Sequence, residues 1–279
     1  MLGVPGLWWI DLAVDGVKKG CVTPKSCRGI PVTDKDSSLG HTKNRLPGPG
    51  SVIAASHTSP VDALYLAAIF DPIFTRSFPN ERKVERINLW QAMLYALLPP
   101  HPEPLKGATL VDVSTLLRDN PDSCIAVFPE CTTTNGRGIL PFSPNLLTVP
   151  AKTKVYPISL RYALADITTP VPGFYLTFPW NLCSKPTHCI RVRIAEPMYN
   201  DSAPSARFDP PRRNSYETNL LDNLHSRPAE AEASGELSAS EKQFLDRVAE
   251  ALARMGRIKR LGLGVDDKLK FAEVWSKRR

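Results

Sequence analysis

The sequence predicts an α/β fold with a mixed, largely parallel central sheet covered by helices and a C-terminal helical extension. Three observations carry this expectation. Short apolar runs of strand length, such as Val52-Ile53-Ala54-Ala55 and Ile125-Ala126-Val127-Phe128, are each bounded by polar or turn residues. Between them lie segments with helix-start signals and helical apolar spacing. The 279 residues are 42% hydrophobic and 23% charged, which is ordinary globular material.

Taken in order, Trp8 to Gly16 reads as a strand closed by the Asp15-Gly16 turn signal. Thr33 to Gly50 is polar and punctuated by Gly and Pro, so a loop is expected before the strand Ser51 to Ala55. A helix follows, with Ser59 as N-cap, Pro60 at the first helical position and Asp62 three residues after the cap. Further helices are predicted over Arg86 to Leu98 and Val113 to Asp119. Strands are predicted over Cys124 to Phe128, Lys154 to Leu160, Phe174 to Phe178 and Cys189 to Ile194.

Beyond Glu196 the composition changes. Asn200 to Asn214 is rich in Pro, Arg and Ser and reads as a loop, Tyr216 to His225 as a short helix and Ala229 to Leu237 as an acidic linker. From Ser240, with Gln243 in capping-box spacing, Phe244, Val248, Leu252 and Met255 repeat at helical intervals up to Gly256. A basic tail follows to Arg279. The expected organisation is an α/β domain over 1–199, a linker with a short helix over 200–237, and an amphipathic helix with a basic tail over 238–279.

The formal charge of +7 and a pI near 9.1 favour anionic partners without choosing among them. No reading helix or aromatic sheet motif accompanies the charge, so nucleic acid is not an expected partner. The six cysteines form no Cys-x-x-Cys pair and read as reduced thiols, and the five histidines lack zinc-site spacing, so no metal is expected. The apolar runs Ala63 to Phe70 and Ala92 to Leu98 are far shorter than the roughly 18 to 20 residues of a membrane span. Elbow-type hydrolase, P-loop and dinucleotide-binding fingerprints are absent from the sequence.

Two loops remain, each just past the carboxyl end of a predicted buried strand, where sites collect in open α/β sheets. One carries His57 with Asp62 five residues on, a spacing that suits a general base and its orienting carboxylate and equally suits a capping box alone. The other runs Phe128-Pro129-Glu130-Cys131-Thr132-Thr133-Thr134-Asn135-Gly136-Arg137 and offers hydroxyls, turn amides and a guanidinium to an anionic phosphate.

Together, His57-Thr58-Ser59-Pro60-Val61-Asp62 and Phe128-Pro129-Glu130-Cys131-Thr132 resemble the His-x4-Asp and Phe-Pro-Glu-Gly-Thr motifs of the glycerolipid acyltransferase family, also called PlsC-like or lysophosphatidic acid acyltransferases. Val155-Tyr156-Pro157-Ile158 resembles a third motif of that family, and the resemblance covers roughly Trp8 to Ile194. The Thr-Thr-Asn-Gly-Arg extension and the segment Gly256 to Lys268 are most similar to the fungal branch linked to lysophosphatidic acid:oleoyl-CoA acyl transfer and vacuolar sorting.

The resemblance implies transfer of a fatty acyl group from acyl-CoA, as co-substrate, to a lysophospholipid, with no cofactor. His57 would be the base and Asp62 its orienter. Glu130, Thr132, Thr133, Asn135, Gly136 and Arg137 would bind substrate, within a framework set by Ser59, Pro60, Pro129, Cys131 and Pro157. It further implies association with an anionic membrane surface on the cytosolic face of the endoplasmic reticulum or a lipid droplet, with the family's N-terminal anchor missing. Three departures stand out: Cys131 in place of glycine, no convincing second-motif arginine near Gly107 to Asp112, and Thr133 where an arginine is usual, Arg137 being the expected substitute. They leave two alternatives, a catalytically weakened lipid-binding protein of membrane traffic and a cysteine hydrolase built on Cys131 and His57.

Overall fold

The computed structural model describes residues 6–15, 45–105, 107–162, 167–185, 187–202 and 237–277. Its centre is an eight-stranded sheet in the order β1-β9-β8-β2-β6-β3-β4-β5. The strands are β1 Gly6–Val14, β2 Val52–Ala55, β3 Ile73–Arg76, β4 Val84–Ile87, β5 Leu110–Val111, β6 Ile125–Val127, β8 Val155–Tyr162 and β9 Thr187–Ile194. The inner strands β8, β2, β6 and β3 run parallel, β4 and β5 continue antiparallel on one side, and β9 is antiparallel to β8 on the other. β1 closes that edge parallel to β9. The expected mixed, largely parallel sheet is what forms.

Strand β2 shows why the sheet must be covered twice. Successive side chains of a strand point to opposite faces, and all four of its residues are apolar and buried. Ile53 and Ala55 join one core, with Val61, Tyr65 and Leu66 of α1 Pro60–Phe70 and Ala92 of α2 Leu89–Leu97. Val52 and Ala54 join the other, with Leu116 and Leu117 of α3 Val113–Asp119 and with Phe244, Leu245 and Val248. Those last three belong to α5 Ala239–Gly256, so the amphipathic helix read from the sequence uses its apolar face to complete the second layer.

Four boundaries differ from the sequence reading. Phe174 to Phe178 is not a strand: turns lead into helix α4 Thr177–Ser184, whose Phe178 is buried in the first core. Its aromatic, β-prone composition is overridden by that packing. The second helix begins at Leu89 rather than Arg86, because Asn88 and Gln91 form a reciprocal capping box and Val84–Ile87 pairs with β3 as a strand. Helix α5 begins at Ala239 on a Ser238–Glu241 box, two residues earlier than the Ser240–Gln243 pair. The basic tail is not featureless: β10 Lys259–Arg260 pairs with β7 Gly138–Ile139, and helix α6 spans Val265–Lys277. The predicted helix Tyr216 to His225, with most of the loop and linker around it, lies outside the described residues.

No helix among the described residues is long and apolar enough to cross a membrane.

Candidate functional site

Strands β2 and β6 are parallel neighbours, with Ala54 opposite Val127, so the loops after them leave the sheet side by side. The two sequence motifs thereby meet. Glu130 is almost fully buried between them, its Oε1 accepting from the His57 amide at 3.4 Å and its Oε2 from the Leu140 amide at 3.1 Å. In return the Thr134 amide donates to the His57 carbonyl at 2.8 Å. Backbone on both sides of the cleft is thus cross-linked through His57 and Glu130.

The His57 ring stacks on Phe128, with centroids 4.3 Å apart and planes 23° from parallel. Its Nε2 is buried and makes no hydrogen bond. Burial, helped by the positive charge of Lys268, holds the imidazole down to about 3, so it is neutral at physiological pH. A small cleft opens here, lined by His57, Phe128, Cys131 and Thr132 from the two loops, Arg76 from β3, and Ala92 and Tyr95 from α2.

Asp62 does what the capping box requires, and more. Its Oδ2 accepts from the amides of Thr58 at 2.6 Å and Ser59 at 2.8 Å, while Oδ1 accepts the hydroxyl of Tyr162. No hydrogen bond or ion pair joins it to the His57 ring. The reason is geometric: a carboxylate folded back over its own N-cap has both oxygens engaged before the imidazole is reached. Burial pushes its carboxyl up to about 7, against the three donors, every one of which favours the ionised form. Ser59 caps the Val61 amide and donates its hydroxyl to the Ile167 carbonyl, and Pro60 occupies the first helical turn.

The second loop divides into a buried and an exposed half. Thr132 and Thr133 are buried, and both accept from Lys268 Nζ, at 2.8 and 3.0 Å. Asn135 and Arg137 are exposed, with Asn135 Oδ1 accepting the Arg137 amide at 3.1 Å in a side-chain-closed turn. Gly136 takes φ 70°, and a Cβ there would lie 3.2 Å from Thr58 Cγ2, so this turn needs glycine. The Arg137 guanidinium therefore sits outside the cleft that His57 lines. Cys131 adopts φ 58°, the left-handed conformation that explains a glycine preference at this position. Burial pushes its thiol up to about 12, which keeps it protonated and unreactive and removes the support for a cysteine nucleophile. Pro129 offers its carbonyl to the Ser143 amide at 2.9 Å, and Pro157 lies opposite Ala54 in β8 and accepts from Ala195.

Three residues enter the site that sequence reading did not single out. Tyr162 arrives from the carboxyl end of β8, Arg76 from the end of β3, and Lys268 from α6. Arg76 lies under the Tyr95 ring at 4.1 Å and near Phe78 at 5.0 Å; its Nη1 is buried without a hydrogen bond and pairs with Glu85 only at 3.9 Å. The sequence held one signal for it: an arginine ending a short apolar run, Ile73-Phe74-Thr75-Arg76, as His57 follows another. Among the described residues no cluster of ligating side chains could hold a metal ion.

Residues 39–161, which hold both loops, match the family described as Acyltransferase. Over 176 residues the chain is 24% identical to a Schizosaccharomyces pombe protein named "Putative lysophosphatidic acid:oleoyl-CoA acyltransferase", a match covering 62% of this chain and 57% of the relative.

Proposed function

We propose that this chain, whose residues 39–161 match the Acyltransferase family, moves a fatty acyl group from acyl-CoA to the hydroxyl of a lysophospholipid such as lysophosphatidic acid. The observation that carries this reading is the His57 imidazole, neutral, with a buried Nε2 that has no partner, in the lining of a cleft shared with Arg76 and Thr132. A buried nitrogen left unpaired costs stability unless a substrate group fills the vacancy. In the proposed reaction that group is the acceptor hydroxyl, and Nε2 takes its proton as the oxygen attacks the thioester carbonyl.

The carbonyl carbon forms its bond to the acceptor oxygen and loses its bond to sulfur. CoA leaves as a thiolate that needs little acid assistance, and the proton held by His57 returns to it. Asp62 steers His57 through the backbone: by gripping the Thr58 and Ser59 amides it fixes the loop, whereas the His57 ring is held flat against Phe128. Glu130 sets the spacing between the loops, and Thr132 and Thr133 lie on the acceptor side. Arg76, partly freed from Glu85 by distance, supplies the guanidinium for a phosphate that the exposed Arg137 does not bring to this cleft.

Helix α2 connects the cleft with a lipid source. Ala92 and Tyr95 line the cleft, while Trp90 and Leu94 on the same helix are 75% and 53% exposed, and Leu98 follows them. An exposed apolar patch beside an active-site mouth, on a chain of charge +7, suits docking on an anionic membrane surface. The name of the S. pombe relative supports the same donor and acceptor classes.

The test is oleoyl transfer from oleoyl-CoA to lysophosphatidic acid, monoacylglycerol and other lysolipids in liposomes, with His57→Ala beside the wild type. Product from the wild type and none from a folded His57→Ala is the expected outcome. An equally active mutant removes His57 from the chemistry. A wild type inactive on every acceptor, yet still binding lysolipid, favours the lipid-binding alternative.

A further inference from the structure

We infer that Lys268, carried into the site by helix α6 from outside the acyltransferase segment, is an anion-binding residue that holds a substrate phosphate together with Thr132. The inference rests on the acyl-transfer reading and adds a residue and a ligand chemistry to it.

Lys268 lies in the first turn of α6, just after Gly264, whose amide is held by Asp267 at 2.8 Å. Its ammonium donates to Thr132 Oγ1 at 2.8 Å, to the Thr133 carbonyl at 2.6 Å and to Thr133 Oγ1 at 3.0 Å. All three acceptors are neutral, and among the described residues no carboxylate lies within ion-pair distance. Burial of this charge lowers its pKa to about 8, with Glu130 opposing the shift from a distance. A desolvated cation that meets only neutral oxygens lacks its counter-ion.

Position points the same way. Thr132 lines the His57 cleft and is bonded to Lys268, so a ligand group at Thr132 is one hydrogen bond from the ammonium. The Lys268 charge is also felt at His57. Arg76 reaches the same cleft from β3 with a buried Nη1 that donates no hydrogen bond. Arg76, whose Glu85 partner stands 3.9 Å away, lines the cleft, Lys268 lies behind its Thr132, and a phosphate with its several acceptor oxygens answers both cations. Lys268 then exchanges one threonine oxygen for a phosphate oxygen. The chemistry is shared by two sources, the phosphomonoester of the acceptor and the phosphates of CoA.

The experiment compares wild type, Lys268→Gln and Lys268→Arg, each checked for folding by circular dichroism, in steady-state transfer from oleoyl-CoA to lysophosphatidic acid or to phosphate-free monoacylglycerol. For Lys268→Gln the expected result is a KM for lysophosphatidic acid raised about tenfold or more, an unchanged KM for monoacylglycerol, and recovery in Lys268→Arg. A rise in KM for oleoyl-CoA instead assigns the held phosphate to the donor and also supports the inference. A fall in kcat with every KM unchanged, or equal losses for both acceptors, makes Lys268 a fastener of α6 and overturns it. Calorimetric titration of lysophosphatidic acid into His57→Ala and into His57→Ala with Lys268→Gln separates the two readings. Should the wild type transfer nothing, about tenfold weaker binding by the double variant still upholds the anion site, and equal binding overturns it.

Discussion

Tyr162, at the end of β8, donates its hydroxyl to the carboxylate of Asp62, one hundred residues earlier at the start of α1. The contact ties the strand that carries the third motif of the family resemblance to the loop that carries His57, and among the described residues it supplies the only side-chain hydrogen bond to Asp62. Replacing Tyr162 by Phe removes a donor from a fully buried carboxylate. The expected loss is about 2 kcal/mol of unfolding free energy, read from urea denaturation, with reduced kcat as the Thr58-Ser59 backbone loosens. A Tyr162→Phe protein of wild-type stability would show that Asp62 does not depend on this bond.

Glu130 gives a pH signature. Burial raises its carboxyl from 4.5 to about 8 in the folded chain, so between those values the native state keeps a proton that the unfolded chain has released. Its contribution to stability is full below the lower value and fades as pH rises through the upper one. Wild type should therefore lose stability relative to Glu130→Gln on going from pH 5 to pH 9. Denaturation curves of the two proteins that stay parallel across this range would place the Glu130 titration elsewhere.

His57 titrates in the opposite sense. Burial holds it at about 3, below the usual 6.5, so protonation that disables the base needs a lower pH than an exposed histidine would. The acid limb of kcat/KM, measured with monoacylglycerol so that no substrate phosphate titrates, should lie well below pH 6. An inflection at the ordinary histidine value would mean that the ring is solvated in the working enzyme.

Cys131 stands at φ 58°, where a side chain is strained by roughly 1–2 kcal/mol. Cys131→Gly should be more stable than wild type, by about 1 kcal/mol once glycine's greater unfolded-state freedom is offset, with transfer activity retained. Loss of activity on this substitution would return the thiol to the chemistry.

Gly138 is one point where the C-terminal segment touches the segment 39–161. A Cβ there would lie 2.3 Å from Leu261 Cδ1, beside the pairing of β7 with β10. Gly138→Ala should push Leu261 away and expose the chain after Gly256 to limited proteolysis, costing about 1–3 kcal/mol. Proteolysis at the wild-type rate would show that Leu261 turns aside without cost.

Much of the site was legible because its parts are local. The Ser59–Asp62 capping box needs only four consecutive residues, and the strands before His57 and Pro129 announce themselves as apolar runs ending in polar turns. The strain at Cys131 was foreseeable only through the family resemblance, which has glycine where this chain has cysteine at φ 58°. Phe174 to Phe178 misled for the converse reason: five residues of strand-like composition carry no record of the core that takes Phe178 into a helix.

The sequence by itself determined the fold class, the Ser59–Asp62 cap and the two loops that carry His57 and Glu130, since periodicity, turn chemistry and motif spacing act over a few residues. Only the tertiary structure decided which groups surround His57. Asp62 turns to Tyr162 and its own backbone, Arg137 stays outside the cleft, and Arg76 and Lys268 arrive from a neighbouring strand and from the last helix. Burial, and the pairing of donors with acceptors across separate elements, depends on which chain segments the sheet order makes neighbours.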